Sequence, residues 1–125
     1  MKGGNRIHRL LCSAILTPVL MAAAGCHSYH VDSTIINRTG GPVQLIEVDY
    51  PEASFGVDAL PAGAIYHYRF KITGTGPLKI DYTASDNHQF HATGPNLFEH
   101  EQGRLEIVLL PGGKVEFHSQ LTPPS

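Results

Sequence analysis

The chain is predicted to be all-β: a small antiparallel sandwich of two sheets with about seven strands. Three observations predict it. Apolar and polar residues alternate along several short runs, as in strands with one buried face. Turn residues interrupt those runs roughly every 8 to 12 residues. Beyond Cys26, no segment holds a helical apolar period over about ten residues.

The elements follow in order. Val31 to Asn37 is a first strand, ended by Arg38-Thr39-Gly40-Gly41. Val43 to Tyr50 is a second, and its apolar parity shifts between Leu45 and Ile46, which predicts a β-bulge or a strand buried on both faces. Pro51 to Pro61 reads as a loop with a short edge strand around Phe55 to Leu60. Its apolar residues Tyr50, Pro51, Phe55 and Leu60 are expected to pack inward and close one end of the sandwich; a partner-binding loop is the alternative.

Ala64 to Ile72 carries the clearest pattern. Tyr66, Tyr68, Phe70 and Ile72 share one face, and His67, Arg69 and Lys71 share the other. Thr73 to Pro77 turns the chain, and Leu78 to Thr83 repeats the alternation. Asp86-Asn87-His88 is a turn, Gln89 to Thr93 a short return strand, and Gly94 to Gly103 a longer loop. Leu105, Ile107 and Leu109 mark another strand, and Pro111-Gly112-Gly113 a tight turn that needs positive φ. Val115 and Phe117 complete a final hairpin. This layout fits an immunoglobulin-like sandwich, with a small partly open β-barrel as the alternative.

The start of the chain has a different grammar. Lys2, Arg6 and Arg9 precede an apolar stretch from Leu10 to Ala24, which ends in Ala22-Ala23-Ala24-Gly25-Cys26. That order of basic, apolar and small residues before a cysteine resembles a bacterial lipoprotein signal peptide with its lipobox. The stretch is shorter than the ~20 apolar residues of a membrane span, and Pro18 interrupts it. The resemblance implies cleavage of the Gly25–Cys26 bond, a lipid on the Cys26 thiol and acylation of the new amino group. His27, and not Asp, follows the cysteine. In family terms the inner-membrane retention signal is then missing. The implied address is the envelope, facing the periplasm from the outer membrane if the host has two. The expected organisation is a signal peptide over 1–25, a lipidated cysteine and short tether over 26–30, the β-domain over 31–120 and a flexible tail over 121–125.

Composition narrows the function classes. Without residues 1–25, nine basic residues fall to six against eleven acids, so the net charge moves from −2 to −5. That balance repels phosphate backbones, and no nucleic-acid partner is expected. Cys12 lies in the signal peptide and Cys26 is the lipidation site, which leaves the domain no cysteine for a disulfide, a thiolate nucleophile or a thiolate metal site.

Seven histidines follow residue 26. His88, His91 and His100, beside Glu99 and Glu101, are the candidate metal group. The spacing argues against them, because His88 and His91 point to opposite faces of a strand. Ser85, Asp86 and His88 are the residue types of a hydrolase triad, but they lie too close in sequence and lack a nucleophile elbow. Asn37-Arg38-Thr39 matches a glycosylation sequon that the bacterial context makes incidental. His67, Arg69 and Lys71, with Lys79 on the same face, form the candidate contact surface for an acidic protein or an anionic envelope polymer. The expected function is that of a membrane-anchored, non-enzymatic binding module with no cofactor. A histidine-based periplasmic metal-binding or metal-delivery protein is the alternative.

Overall fold

The computed structural model describes residues 29–124. The expected signal peptide, the Gly25–Cys26 bond and the lipidation site lie outside the described residues. Those residues form eight strands: β1 (Val31–Asn37), β2 (Val43–Tyr50), β3 (Ala53–Leu60), β4 (Ile65–Phe70), β5 (Gly76–Thr83), β6 (Gln89–Leu97), β7 (Gln102–Leu109) and β8 (Val115–Thr122). They pair as two four-stranded sheets, β4-β1-β7-β8 and β3-β2-β5-β6. The architecture is a two-sheet β-sandwich, and neither sheet closes into a barrel. No described helix is long and apolar enough to cross a membrane.

Pairing is antiparallel except between β1 and β7, which run parallel. A parallel pair needs a long crossover, and here the whole second sheet lies between the two partners in sequence. The all-antiparallel expectation is corrected on this point.

Alternating side chains from both sheets meet in one core. Val31, Ile35, Phe70, Leu105 and Ile107 come from the first sheet; Ile46, Val48, Leu78, Ile80 and Leu97 come from the second. Two close aromatic contacts join the sheets at one end. Phe55 of β3 stacks on Tyr68 of β4, and Tyr50 of β2 packs at a tilt against Phe70 of β4, each with ring centroids 4.1 Å apart. Tyr50, Phe55 and Leu60 therefore pack inward as expected. The segment holding Phe55 and Leu60 is not mainly a loop, however. β3 is a full edge strand that pairs with β2 from Val43↔Leu60 to Tyr50↔Ala53.

Two other boundaries shift. β6 continues through Gly94 and Pro95 to Leu97, because it is an edge strand, where a proline costs no ladder hydrogen bond. An irregularity in the β5–β6 register between Pro77 and Lys79 absorbs the extra residue. Leu121 and Thr122, expected to fray, belong to β8 and pair with Gly103 and Gln102. The parity shift in β2 is a bulge, as predicted: the β2–β5 register jumps between Gln44 and Glu47.

Candidate functional site: the outer face of the β3-β2-β5-β6 sheet

The bulge decides what this face displays. Leu45 is the extra residue, and its φ of 51° puts it in the left-handed region that leucine avoids. The twist of the bulge turns its side chain outward, leaving it 66% exposed. Leu45 separates two hollows. One, about 340 Å³, is bordered by Glu47, Ser54, Gly56 and Asp58; the other, about 230 Å³, by Asp81, Thr83, Gln89 and His91.

The charges around Leu45 are mostly of one sign. Glu47 and Asp49 lie two residues apart on β2 and so share the outer face. Glu47 stands opposite Asp81 of β5, a like-charged cross-strand pair, and such pairs are destabilising. Asp58 adds a fourth carboxylate beside the first hollow. Lys79 stands opposite Asp49, and the Asp81 carboxylate contacts Nδ1 of His91. Hydrogen bonding with the Asp49 side chain, the Asp49 charge, slight desolvation of this exposed carboxyl and the Asp81 charge, in that order, hold the Glu47 pKa above its usual 4.5. The face therefore concentrates negative charge around one projecting apolar side chain.

The opposite outer face, on β4-β1-β7-β8, differs. His67 and Arg69 do lie on it and are exposed, as the alternation predicted. Their cross-strand neighbours cancel the expected basic stripe. One row reads Arg69, Asp32, Arg104, Gln120, and the next reads His67, Thr34, Glu106, His118. Arg69 Nε lies 3.4 Å from Asp32, and His67 Nδ1 3.3 Å from Thr34 Oγ1. A shallow hollow of about 460 Å³ spans this charge-balanced grid. Lys71 lies just beyond the end of β4, and Lys79 is on β5 of the other sheet. The four basic residues thus do not share a face. Alternation reports the face of a strand, and the sheet to which that strand belongs is a separate matter.

The histidines disperse. His88 Nδ1 lies 2.8 Å from Asp86, His91 contacts Asp81, and His100 Nε2 lies 3.6 Å from Glu99. Each thus sits against a different carboxylate. Among the described residues, no group of three or more His, Cys, Asp or Glu side chains could hold a metal ion. Of the triad residue types, Asp86 and His88 do interact, within a turn where Asp86 also accepts a hydrogen bond from the His88 backbone N–H at 3.2 Å. Those bonds hold the Asp86 pKa below its usual 3.8. Ser85 packs beside Gly41. Tyr82 in the core keeps a buried hydroxyl without a hydrogen-bond partner among the described residues, and burial raises its pKa.

Sequence reasoning missed Leu45 and the carboxylates around it. The signal was present in the parity shift, since a bulge turns one extra residue outward. The convergence of Glu47 with Asp81 required the β2–β5 pairing.

No family model and no curated protein matches the chain. A solved structure does resemble it: an NMR structure of a protein from Eubacterium rectale, with a TM-score of 0.55 at 16% identity, covering 75% of this chain and 93% of that one. At that identity the likeness concerns the fold alone.

Proposed function

We propose that the protein is a lipid-anchored, non-enzymatic binding module of the bacterial envelope. In this reading Cys26 carries the anchor, and the outer face of the β3-β2-β5-β6 sheet contacts a basic segment of another envelope protein. The observation that carries the reading is Leu45: an exposed apolar side chain, held in a strained conformation, amid Glu47, Asp49, Asp58 and Asp81. Backbone strain of this kind persists where the surroundings over-determine it, often at binding sites. The repulsion between Glu47 and Asp81 is relieved when a cation approaches. A lysine or arginine from a partner supplies that cation, while Leu45 supplies apolar surface that is buried on contact.

A photo-cross-linking residue placed at position 45, compared with one at position 65, tests the binding face in intact envelopes. The expected result is a discrete adduct from position 45 alone, lost when Glu47→Lys and Asp49→Lys are added. The same adducts from both positions, or an adduct indifferent to charge reversal, defeats the binding reading. The anchor is tested separately: Cys26→Ser should block processing, and a variant that is processed and fractionates as the wild type does defeats the anchor reading.

A further inference from the structure

One pole of the sandwich is where the chain enters from the expected tether. Tyr29 stacks on His100, with ring centroids 5.6 Å apart, and the Gly103 N–H donates to the His30 carbonyl at 3.1 Å. The turns at this pole are Tyr50 to Ala53, Lys71 to Thr75 and Phe98 to Glu101. Phe98 is 54% exposed there. Its turn is braced: the Glu101 carboxylate accepts the Phe98 N–H at 2.7 Å, the Glu101 N–H donates to the Phe98 carbonyl at 3.2 Å, and the His100 N–H donates to the Ile72 carbonyl at 2.9 Å. Phe98 is thus presented outward on a hydrogen-bonded turn.

We infer that this pole docks on the bilayer surface, with Phe98 inserted at the boundary between headgroups and acyl chains. The inference rests on the lipid-anchor reading above. The occupant follows from the length and exit point of the chain. Two residues, His27 and Ser28, separate Cys26 from Tyr29, and the three backbone steps reach about 10 Å, so a lipid on Cys26 brings this pole within side-chain distance of the membrane. A short tether makes the second contact intramolecular, so one aromatic side chain suffices where it would fail for a free protein. The contact also sets orientation. With the pole down, both sheets stand upright and the Leu45 face points sideways, open to a partner in the same envelope layer. Glu52, Glu99 and Glu101 outnumber Lys71 at this pole, which selects a zwitterionic surface over an anionic one.

The chain contains no tryptophan, so Phe98→Trp and Ile65→Trp each introduce a single reporter. Ile65, 53% exposed at the start of β4, marks the opposite pole. The full chain, processed in cells, is purified from membranes and reconstituted into phosphatidylcholine vesicles carrying acyl-chain quenchers. Quenching at position 98 should exceed that at position 65 several-fold, with a blue-shifted emission. A reporter from Thr75→Trp, measured with and without Phe98→Ser, guards against tryptophan's own preference for interfaces. Its quenching should fall when Phe98 is removed. Equal quenching at 98 and 65, or a Thr75 reporter indifferent to Phe98→Ser, overturns the docking and leaves the anchor standing. A wild-type chain that fails to float with vesicles overturns both. Stronger quenching on phosphatidylglycerol vesicles overturns the assignment to a zwitterionic surface.

Discussion

The Asn37 side-chain amide donates to the Leu60 carbonyl at 2.9 Å, tying the end of β1 in one sheet to the end of β3 in the other. The same Nδ2 reaches the carbonyls of Gly41 at 2.9 Å and Pro61 at 3.1 Å, and Oδ1 accepts from the Thr39 N–H and hydroxyl. Asn37 is fully buried, so this network stands in for solvent around several backbone groups. Its amide is committed to the fold and closed to a glycosyltransferase, whatever the sequon Asn37-Arg38-Thr39 suggests.

Asn37→Ala should therefore destabilise the domain by about 1–3 kcal/mol, since the buried Leu60 carbonyl loses this donor, while the Gly41 and Pro61 carbonyls keep the Thr39 hydroxyl and the Ala64 N–H. Asn37→Asp should be at least as harmful at neutral pH, because it sets a carboxylate against three carbonyl oxygens. Chemical denaturation reads both; a loss below about 0.5 kcal/mol in either would remove Asn37 as a tie between the sheets.

The two faces of β4 should separate cleanly. Phe70→Ala removes a buried ring from the contact with Tyr50 and should cost about 3–5 kcal/mol. Arg69→Ala breaks an ion pair whose side chains are 64% and 65% exposed, and should cost no more than about 0.5 kcal/mol. Denaturation midpoints of the two variants decide, and equal losses would contradict the face assignment.

Leu45→Gly should uncouple stability from binding. Glycine adopts the φ of 51° without the cost of about 1–2 kcal/mol that a leucine bears in the left-handed region. The variant should melt at the wild-type temperature or higher, yet lose the adduct expected from the β3-β2-β5-β6 face, read with the photo-reactive group moved to position 58. Marked destabilisation would mean that the Leu45 side chain supports the fold.

The acidic face should leave a signature in the pH dependence of stability. The Glu47 carboxyl holds its proton more tightly in the folded chain than at its usual 4.5, chiefly through its hydrogen bond with Asp49. The folded state then binds more protons than the unfolded one in the window just above 4.5, and stability falls as pH rises through it. Asp86 acts in the opposite sense: its lowered pKa contributes stability that is present above 3.8 and lost as pH falls through the folded value. Glu47→Gln should flatten the decline above 4.5 and leave the acid limb below 3.8 unchanged. Melting temperatures across that range test the assignment, and an unchanged slope above 4.5 would remove Glu47 from it.

Gly103 shows how far local pattern falls short of the fold. Its φ is 138°, and a Cβ there would lie 2.1 Å from the Gln120 carbonyl. In the sequence it reads as the end of a loop. In the structure it is a strand position between β1 and β8, where only a residue without a side chain fits against the neighbouring backbone.

The sequence by itself determined the β class and the faces of the alternating strands, whereas two expected loops, Pro51 to Pro61 and Gly94 to Gly103, are largely strand. The alternation from Tyr66 to Ile72, from Leu78 to Tyr82 and from Leu105 to Leu109 is a local consequence of burying one side of a pleated chain. The parity shift at Leu45 and Ile46 likewise announced a bulge. Tertiary structure alone decided which strands are neighbours, because backbone hydrogen bonds between strands carry no sequence label. That choice brought parallel β7 beside β1, interleaved Asp32 and Glu106 among the basic residues around Arg69, sent Lys79 to the other sheet, and set Asp81 opposite Glu47. Charge along a strand was legible from the start. Charge across a sheet is a sum over strands distant in sequence, and it takes its value only when they pair.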